Sequence, residues 1–282
     1  MTYQQAIQIA KEQLEAKHIY SGFAFNYMLE LTQLQDLNLY LIKDEEIPTS
    51  LLEVYQRGVI RLLNDEPLAY VLGFEWFYGR RFKVNQDVLI PRQETEELIS
   101  NVIMDMDELF EDHCVIADVG TGSGNCAITL ALETNSQVIA TDISFEALEV
   151  AKENNKLLES NVTFFQGDMG QPLIDNKLKV DVLVCNPPYI LEDEEVQSSV
   201  LTYEPHSALF GGQDGLKYYR QILDEAKFFL NDKAMMAFEM GFSQQDNLRK
   251  EILKRYPHAK VSFKQDISGK DRMCFVYLNT VY

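Results

Sequence analysis

Asn186-Pro187-Pro188-Tyr189 is the stretch whose residue types could do chemistry together. The Asn186 side chain carries one acceptor and two donors. Pro187 and Pro188 have no amide hydrogen to donate and hold φ near about −65°, so strand pairing must stop there and the carbonyls of the turn project in fixed directions. Asn186 and the Pro187 carbonyl can then grip a planar –NH2 group from two sides, with Tyr189 stacked over the same plane. That is a hook for an amide or an exocyclic amine. Asn and Pro are also ordinary turn formers, and taken alone the tetrad reads equally well as a loop that ends a strand.

What shifts the balance lies upstream. Asp118-Val119-Gly120-Thr121-Gly122-Ser123-Gly124 follows an apolar run and opens a helical pattern. Glycines there let backbone approach a ligand where side chains would obstruct it. Asp142 ends the next apolar run, 22 residues after Gly120. A carboxylate in that place can accept both ribose hydroxyls of an adenosine cofactor, as the similarly placed acid does in dinucleotide folds. The two candidates are NAD and S-adenosylmethionine. The spacing is Gly-x-Gly-x-Gly, not Gly-x-Gly-x-x-Gly, and hydride transfer has no evident need of the hook, which favours S-adenosylmethionine. Asp168, after a third apolar run, adds an acidic position near where an adenine would lie.

These residues need elements to position them. Apolar residues at helical spacing, first Ala6, Ala10 and Leu14, then a segment from Phe25 to Leu41, then Leu52, Tyr55, Val59, Leu62 and Leu63, predict a helical bundle over residues 1–72. Ser50 followed by Glu53, after Pro48, resembles a capping box. From Gly73 to Ile90 the period shifts towards a β-hairpin around Gly79-Arg80-Arg81. Pro91 and the acidic residues Glu94 and Glu96 suit a helix start. From Cys114 onward strands alternate with helices: strands at 114–119, 137–141, 162–166, 180–185 and 234–239, and helices from Asn125, Ser144, Leu216 and Gln244. Such alternation implies right-handed βαβ units and a parallel sheet. Two last strands, 261–263 and 273–278, have between them no room for a crossover helix and must be antiparallel neighbours.

Composition narrows the function classes. A chain of 282 residues has room for two domains. The formal net charge of −19 opposes non-specific attraction to nucleic-acid phosphates; Arg80, Arg81 and Lys83 form a small local basic group, usually a solvated edge. No apolar run approaches the roughly 20 residues of a membrane span, and Glu12 and Glu15 break any signal-peptide pattern. The expectation is a cytoplasmic protein. Cys114, Cys126, Cys185 and Cys274 show no ligand or Cys-x-x-Cys spacing and read as reduced core thiols, and the four histidines are equally scattered.

The combination resembles the release-factor glutamine methyltransferases of the HemK or PrmC family. The likeness covers nearly the whole chain: the amino-terminal helices, Tyr70-Val71-Leu72-Gly73, Phe77 and Gly79, Val88-Leu89-Ile90-Pro91-Arg92 with Glu94-Thr95-Glu96, the glycine loop, and Asn186 to Tyr189. Gln93 departs from it, standing where the family often has proline, which bears on the rigidity of that turn. The resemblance implies a class I S-adenosylmethionine-dependent methyltransferase fold, Rossmann-like, with a seven-stranded mostly parallel sheet at 91–282, an amino-terminal helical domain at 1–72 that recognises substrate, and a hairpin linker at 73–90. It implies methylation of the glutamine side-chain nitrogen in the Gly-Gly-Gln motif of peptide-chain release factors. Carried over by position, Gly120, Thr121, Gly122, Ser123, Gly124, Asp142, Asp168, Met169 and Asn186 would contact the cofactor. Asn186, Pro187, Pro188 and Tyr189 would hold the glutamine, with Asn186, Pro187 and Tyr189 as the catalytic set. Arg92, Glu94 and Thr95 would help shape the site. The expected state is a monomer with a release factor as partner, and no membrane or nucleic-acid partner is expected.

The chemistry of the residues agrees. An amide nitrogen is a poor nucleophile because its lone pair is delocalised, and two acceptors on its hydrogens would both orient it and relieve that delocalisation. The gain comes from holding nitrogen and methyl carbon in line at roughly 3 to 3.5 Å and from stabilising the charge that develops on nitrogen; neither a metal nor a strong base is required. Two rivals remain open. A nucleobase amino-methyltransferase could use the same hook on an exocyclic amine, but the acidic balance and the lack of a basic, aromatic-rich segment oppose it. A non-catalytic binding module on this scaffold is opposed by the intact glycine loop, Asp142 and tetrad. The chain also contains Gly211-Gly212-Gln213, the tripeptide the family modifies, read here as a glycine-rich loop before the helix near Leu216, with Gln213 left unmodified.

Overall fold

The computed structural model describes residues 1–110 and 113–280. The elements begin with α1 (Tyr3–Ala16), α2 (Gly22–Gln33), α3 (Leu39–Ile42), α4 (Thr49–Leu62) and α5 (Leu68–Leu72), then the hairpin β1 (Phe74–Phe77) and β2 (Arg80–Lys83). There follow α6 (Gln93–Leu109), β3 (Val115–Val119), α7 (Asn125–Glu133), β4 (Gln137–Asp142), α8 (Phe145–Leu157), β5 (Val162–Gln166), α9 (Gln171–Asp175) and β6 (Val180–Cys185). The rest is α10 (Ser198–Tyr203), α11 (Lys217–Phe229), β7 (Leu230–Glu239), α12 (Gln245–Arg255), β8 (Lys260–Gln265) and β9 (Asp271–Leu278).

The chain divides into two compact units. One is Met1–Glu75 with Gln197–Tyr203; the other is Trp76–Val196 with Glu204–Tyr282. In the first, α1 buries Tyr3, Ala6, Ile7, Ala10 and Leu14, the stripe expected from residues three and four apart, against Met28 of α2 and Tyr55 of α4. The Tyr55 hydroxyl would be costly in this core without a partner; it donates to the Ala24 carbonyl at 2.9 Å. The capping box expected at Ser50 and Glu53 does not form. Pro48 caps α4 and the helix starts at Thr49, which leaves Ser50 inside the first turn. A capping box does form at Thr2 and Gln5, each side chain accepting from the other's backbone amide. No apolar periodicity marks α10, which joins this unit through Ser198 Oγ to Asp65 (3.0 Å) and Tyr203 Oη to the Asn64 carbonyl (2.8 Å).

In the second unit the seven strands run in the order β5-β4-β3-β6-β7-β9-β8. All neighbours are parallel except β9, which is antiparallel to β7 and to β8. Alternate residues of each strand enter opposite layers. Ile116, Val182, Val184 and Ala237 pack with α6 and α7, while Ala117, Leu183, Cys185 and Met236 pack with α11 and α12. Burial on both faces explains why these strands read as continuous apolar runs. The division falls within β1, not after Leu72, and the aromatic pair Phe77 and Phe82, centroids 5.9 Å apart, belongs to the core of this second unit. β7 starts at Leu230, four residues before the strand read from sequence, past a register shift opposite Val180 and Val182. All four cysteines are buried free thiols. Among the described residues no helix is long and apolar enough to cross a membrane.

Candidate active site

Four adjacent parallel strands, β5, β4, β3 and β6, bring the ends of their chains to one edge of the sheet, the place where open α/β sheets bind ligands. After β3 the chain turns through Gly120, Gly122 and Gly124 at φ of 76°, 54° and 80°, a region costly for any residue with a Cβ. At Gly120 and Gly122 an added Cβ would meet no atom within 4 Å; both glycines line a cavity of about 330 Å³. Gly124 serves packing instead: a Cβ there would lie 3.0 Å from Ile128 and 3.1 Å from Ala151.

The loop is tied to the end of β4. The amides of Gly120 and Thr121 donate to the Thr141 carbonyl at 2.9 and 3.0 Å. Asp142 Oδ2 accepts from the Gly122 amide at 2.8 Å and Oδ1 from the Ser144 amide at 2.9 Å. A carboxylate has about four lone-pair sites, so each Asp142 oxygen keeps capacity to accept, at the wall of the cavity. Burial pushes the Asp142 pKa up, against the pull of those backbone donors. Behind the loop, Asp118 Oδ2 accepts from Thr121 Oγ1 at 2.6 Å and from the Ala127 amide at 3.1 Å. Its burial outweighs both bonds and pushes its pKa up to about 6. Asn154 braces the far side: it donates to the carbonyls of Lys83 (3.0 Å) and Ser123 (2.8 Å) and accepts from the Lys83 amide at 2.7 Å.

The same cavity is lined by Thr121, Ser123, Asp168, Met169, Asn186 and Pro188. Met169 takes φ of 46° and its carbonyl accepts from Thr141 Oγ1 at 2.8 Å, while Asp168 accepts from Gln221 at 3.0 Å. The structure therefore brings Gly120 to Ser123, Asp142, Asp168, Asn186 and Pro188 to one space. It does not bring Gly124, Pro187 or Tyr189 to the cavity wall. The stacking face expected of Tyr189 is not offered there, because its side chain is turned back into the protein and bonded below the hook.

That bonding centres on Glu239, at the end of β7. Oε2 accepts from Thr95 Oγ1 at 2.5 Å and from Asn186 Nδ2 at 3.0 Å, and Oε1 accepts from the Tyr189 hydroxyl at 3.2 Å. Asn186 Nδ2 also donates to Thr95 Oγ1 at 3.3 Å, and Arg272 Nη1 lies 3.4 Å from the Tyr189 oxygen. Burial raises the pKa of Glu239, opposed by the bonds it accepts and by the Arg272 charge. Gln244 holds the tetrad's backbone, donating to the Tyr189 carbonyl at 2.9 Å and accepting from the Gly241 amide at 2.9 Å. Gly211, the first glycine of Gly-Gly-Gln, lies against the same backbone, where a Cβ would come within 2.5 Å of the Pro188 carbonyl oxygen. Gln213 itself is exposed. Of the segment before α6, Arg92 lines the cavity and pairs with the buried carboxylate of Glu204, which also accepts from the Ile90 amide at 3.1 Å.

Known proteins resemble this chain over most of its length. A methyltransferase-domain profile matches residues 110–254, just over half of the chain. A release factor glutamine methyltransferase of Bacillus cereus is 44% identical over 235 residues, covering 82% of this chain and 83% of that protein. That of Staphylococcus aureus is 37% identical over 249 residues, covering 87% and 88%. The chain belongs to the release factor glutamine methyltransferase family. In fold, the crystal structure of a methyltransferase from Pyrococcus furiosus matches with a TM-score of 0.54 at 19% identity, over 80% of this chain and all of that one.

Glu239, Gln244, Asn154, Glu204 and Arg272 all escaped the sequence reading. Glu239 and Gln244 lie more than 50 positions from Asn186, and Asn154 sits inside a helix with no motif around it. A glutamate closing an otherwise apolar run, Ala234 to Phe238, was the one available signal: a charge at the end of a doubly covered strand needs a polar partner.

Proposed function

We propose that the protein transfers a methyl group from S-adenosylmethionine to the side-chain amide nitrogen of the Gly-Gly-Gln glutamine in peptide-chain release factors. The observation that carries this reading is that Gly120, Gly122, Asp142 and Asn186 line one and the same cavity. The residues fit the cofactor: two glycines leave open space beside their backbone, and Asp142 retains acceptor capacity on both oxygens. When bound, S-adenosylmethionine supplies a methyl group activated by its sulfonium. Gly120 to Ser123, Asp142, Asp168 and Met169 hold it, and Gly124 sets the helix that follows.

Asn186 Oδ1 and the Pro187 carbonyl, the latter outside the cavity wall until the glutamine enters, accept the two hydrogens of the glutamine –NH2. They turn its nitrogen lone pair towards the methyl group and stabilise the charge that grows there. Pro188 closes the wall, and Tyr189 fixes the turn. The helical unit of residues 1–72 recognises the release factor, and the enzyme acts in the cytoplasm as a monomer.

Incubation with labelled S-adenosylmethionine and, in separate reactions, a release factor, duplex DNA and ribosomal RNA is expected to label only the release factor. Asn186→Ala is expected to lower the rate on the order of 10² to 10³-fold, the usual loss for one preorganised transition-state contact, with the fold retained. Label on nucleic acid alone, or a folded variant with near wild-type rate, would overturn the reading.

A further inference from the structure

We infer that Glu239 is a positioning residue that sets the orientation of the Asn186 side-chain amide, so that its oxygen and not its nitrogen faces the substrate; this rests on the proposed function above. A side-chain amide has two ends of nearly equal shape and opposite polarity, one accepting and one donating. With the oxygen in the cavity, Asn186 accepts from a substrate –NH2; turned over, it would present hydrogens to hydrogens. Nothing within Asn-Pro-Pro-Tyr decides between the two.

Glu239 decides it. Glu239 Oε2 lies 3.0 Å from Asn186 Nδ2 and already accepts the Thr95 hydroxyl hydrogen at 2.5 Å, so it faces the amide as an acceptor. Thr95 cannot reverse the choice: its hydrogen is committed to Glu239 at 2.5 Å, which leaves only its lone pairs for Asn186 Nδ2 at 3.3 Å. The two groups beneath the amide therefore both accept, and the nitrogen must point down. The same carboxylate takes the Tyr189 hydroxyl on its other oxygen at 3.2 Å, so both side chains that flank the two prolines hang from one buried group. Elements far apart in the chain build this support: Thr95 on α6, Glu239 closing β7, and Arg272 on β9 beside the tyrosine oxygen. A bond from a buried acid to a tetrad that faces a cavity has little packing purpose, whereas fixing an amide that must accept gives it one.

The test is Glu239→Gln, which keeps the shape and gives the support a donating end. Two readouts are needed, kcat for a release factor and solvent exchange of the Asn186 side-chain N–H protons by NMR, that signal being assigned by its loss in Asn186→Ala. The expected results are a kcat lowered on the order of 10²-fold, KM for the release factor changed less than about threefold, and Asn186 N–H exchange faster by about tenfold or more. In an Asn186→Ala background Glu239→Gln is expected to add little further loss, since it acts through that amide. Thr95→Val, nearly isosteric, is the second variant should Glu239→Gln not fold, with a kcat loss of about tenfold expected. A wild-type enzyme that leaves release factors unmethylated, with Asn186 protection still lost in Glu239→Gln, would overturn the proposed function and uphold the positioning. An active wild type with kcat and Asn186 protection unchanged in the variant, or losses that multiply fully in the double variant, would overturn the positioning alone.

Discussion

Asp142 and Asp118 lie one strand apart and do different work. Each Asp142 oxygen accepts one bond from a backbone amide, from Gly122 and Ser144, and keeps its remaining acceptor capacity for the cavity, so Asp142→Ala removes ligand contacts. Charge-assisted hydrogen bonds contribute roughly 1.5 to 3 kcal/mol, and calorimetry is expected to show S-adenosylmethionine binding weakened tenfold or more. Asp118 spends its acceptors inside the loop, and its effect belongs to stability. Its pKa of about 6 when folded lies above the ordinary 3.8. Between those values the folded chain keeps a proton that the unfolded chain has released. The contribution therefore favours folding fully below pH 3.8 and is withdrawn as pH rises to about 6. A gap of about 2 units corresponds to roughly 3 kcal/mol. Asp118→Asn cannot ionise, so its melting temperature is expected to fall less than that of the wild type between about pH 4 and pH 6; parallel curves would show that Asp118 is not the group concerned.

Among the elements, the Gly211 loop shows how support for a site can hide in plain view. Its Gly-Gly-Gln tripeptide attracts notice as chemistry, yet the first glycine is there because backbone passes so close behind the tetrad. Its amide donates to the Ile190 carbonyl at 2.8 Å, and an added Cβ would press on Pro188 and Tyr189. Gly211→Ala must push the hook or the loop aside. Displacements near 1 Å can cost about 10²-fold, so methyl transfer is expected to fall by that order while S-adenosylmethionine affinity, measured by calorimetry, stays within about threefold. The strands that carry the site were legible because burial on both faces leaves uninterrupted apolar runs, and the loop and Asp142 were legible because their spacing follows strand geometry. Glu239, Gln244 and Asn154 were not, since each contact joins elements whose adjacency comes from sheet order and not from chain order. The Ser50 capping box failed because Pro48 begins the helix earlier than the pattern suggested.

For the molecule as a whole, the charge of −19 is matched by how the few hairpin cations are spent. Arg80 pairs with Glu133 and Lys83 with Glu153, and Arg81 lies over the Trp76 ring at 5.7 Å. Little positive field is left there to attract phosphates. A mobility-shift assay with duplex DNA at about 0.1 M salt, near the ionic strength at which the screening length is about 10 Å, is expected to show no complex; a shift in the micromolar range would revive a nucleic-acid substrate. The order of the sheet has a consequence of another kind. β9, which follows β7 and β8 in the chain, is not at the edge but between them, and it delivers Arg272 beneath Tyr189. While a ribosome is still making residues 271–278, β8 has no neighbour to pair with and β7 is left with an open edge. The support beneath Tyr189, Arg272 included, can therefore form only once β9 has slotted between β7 and β8.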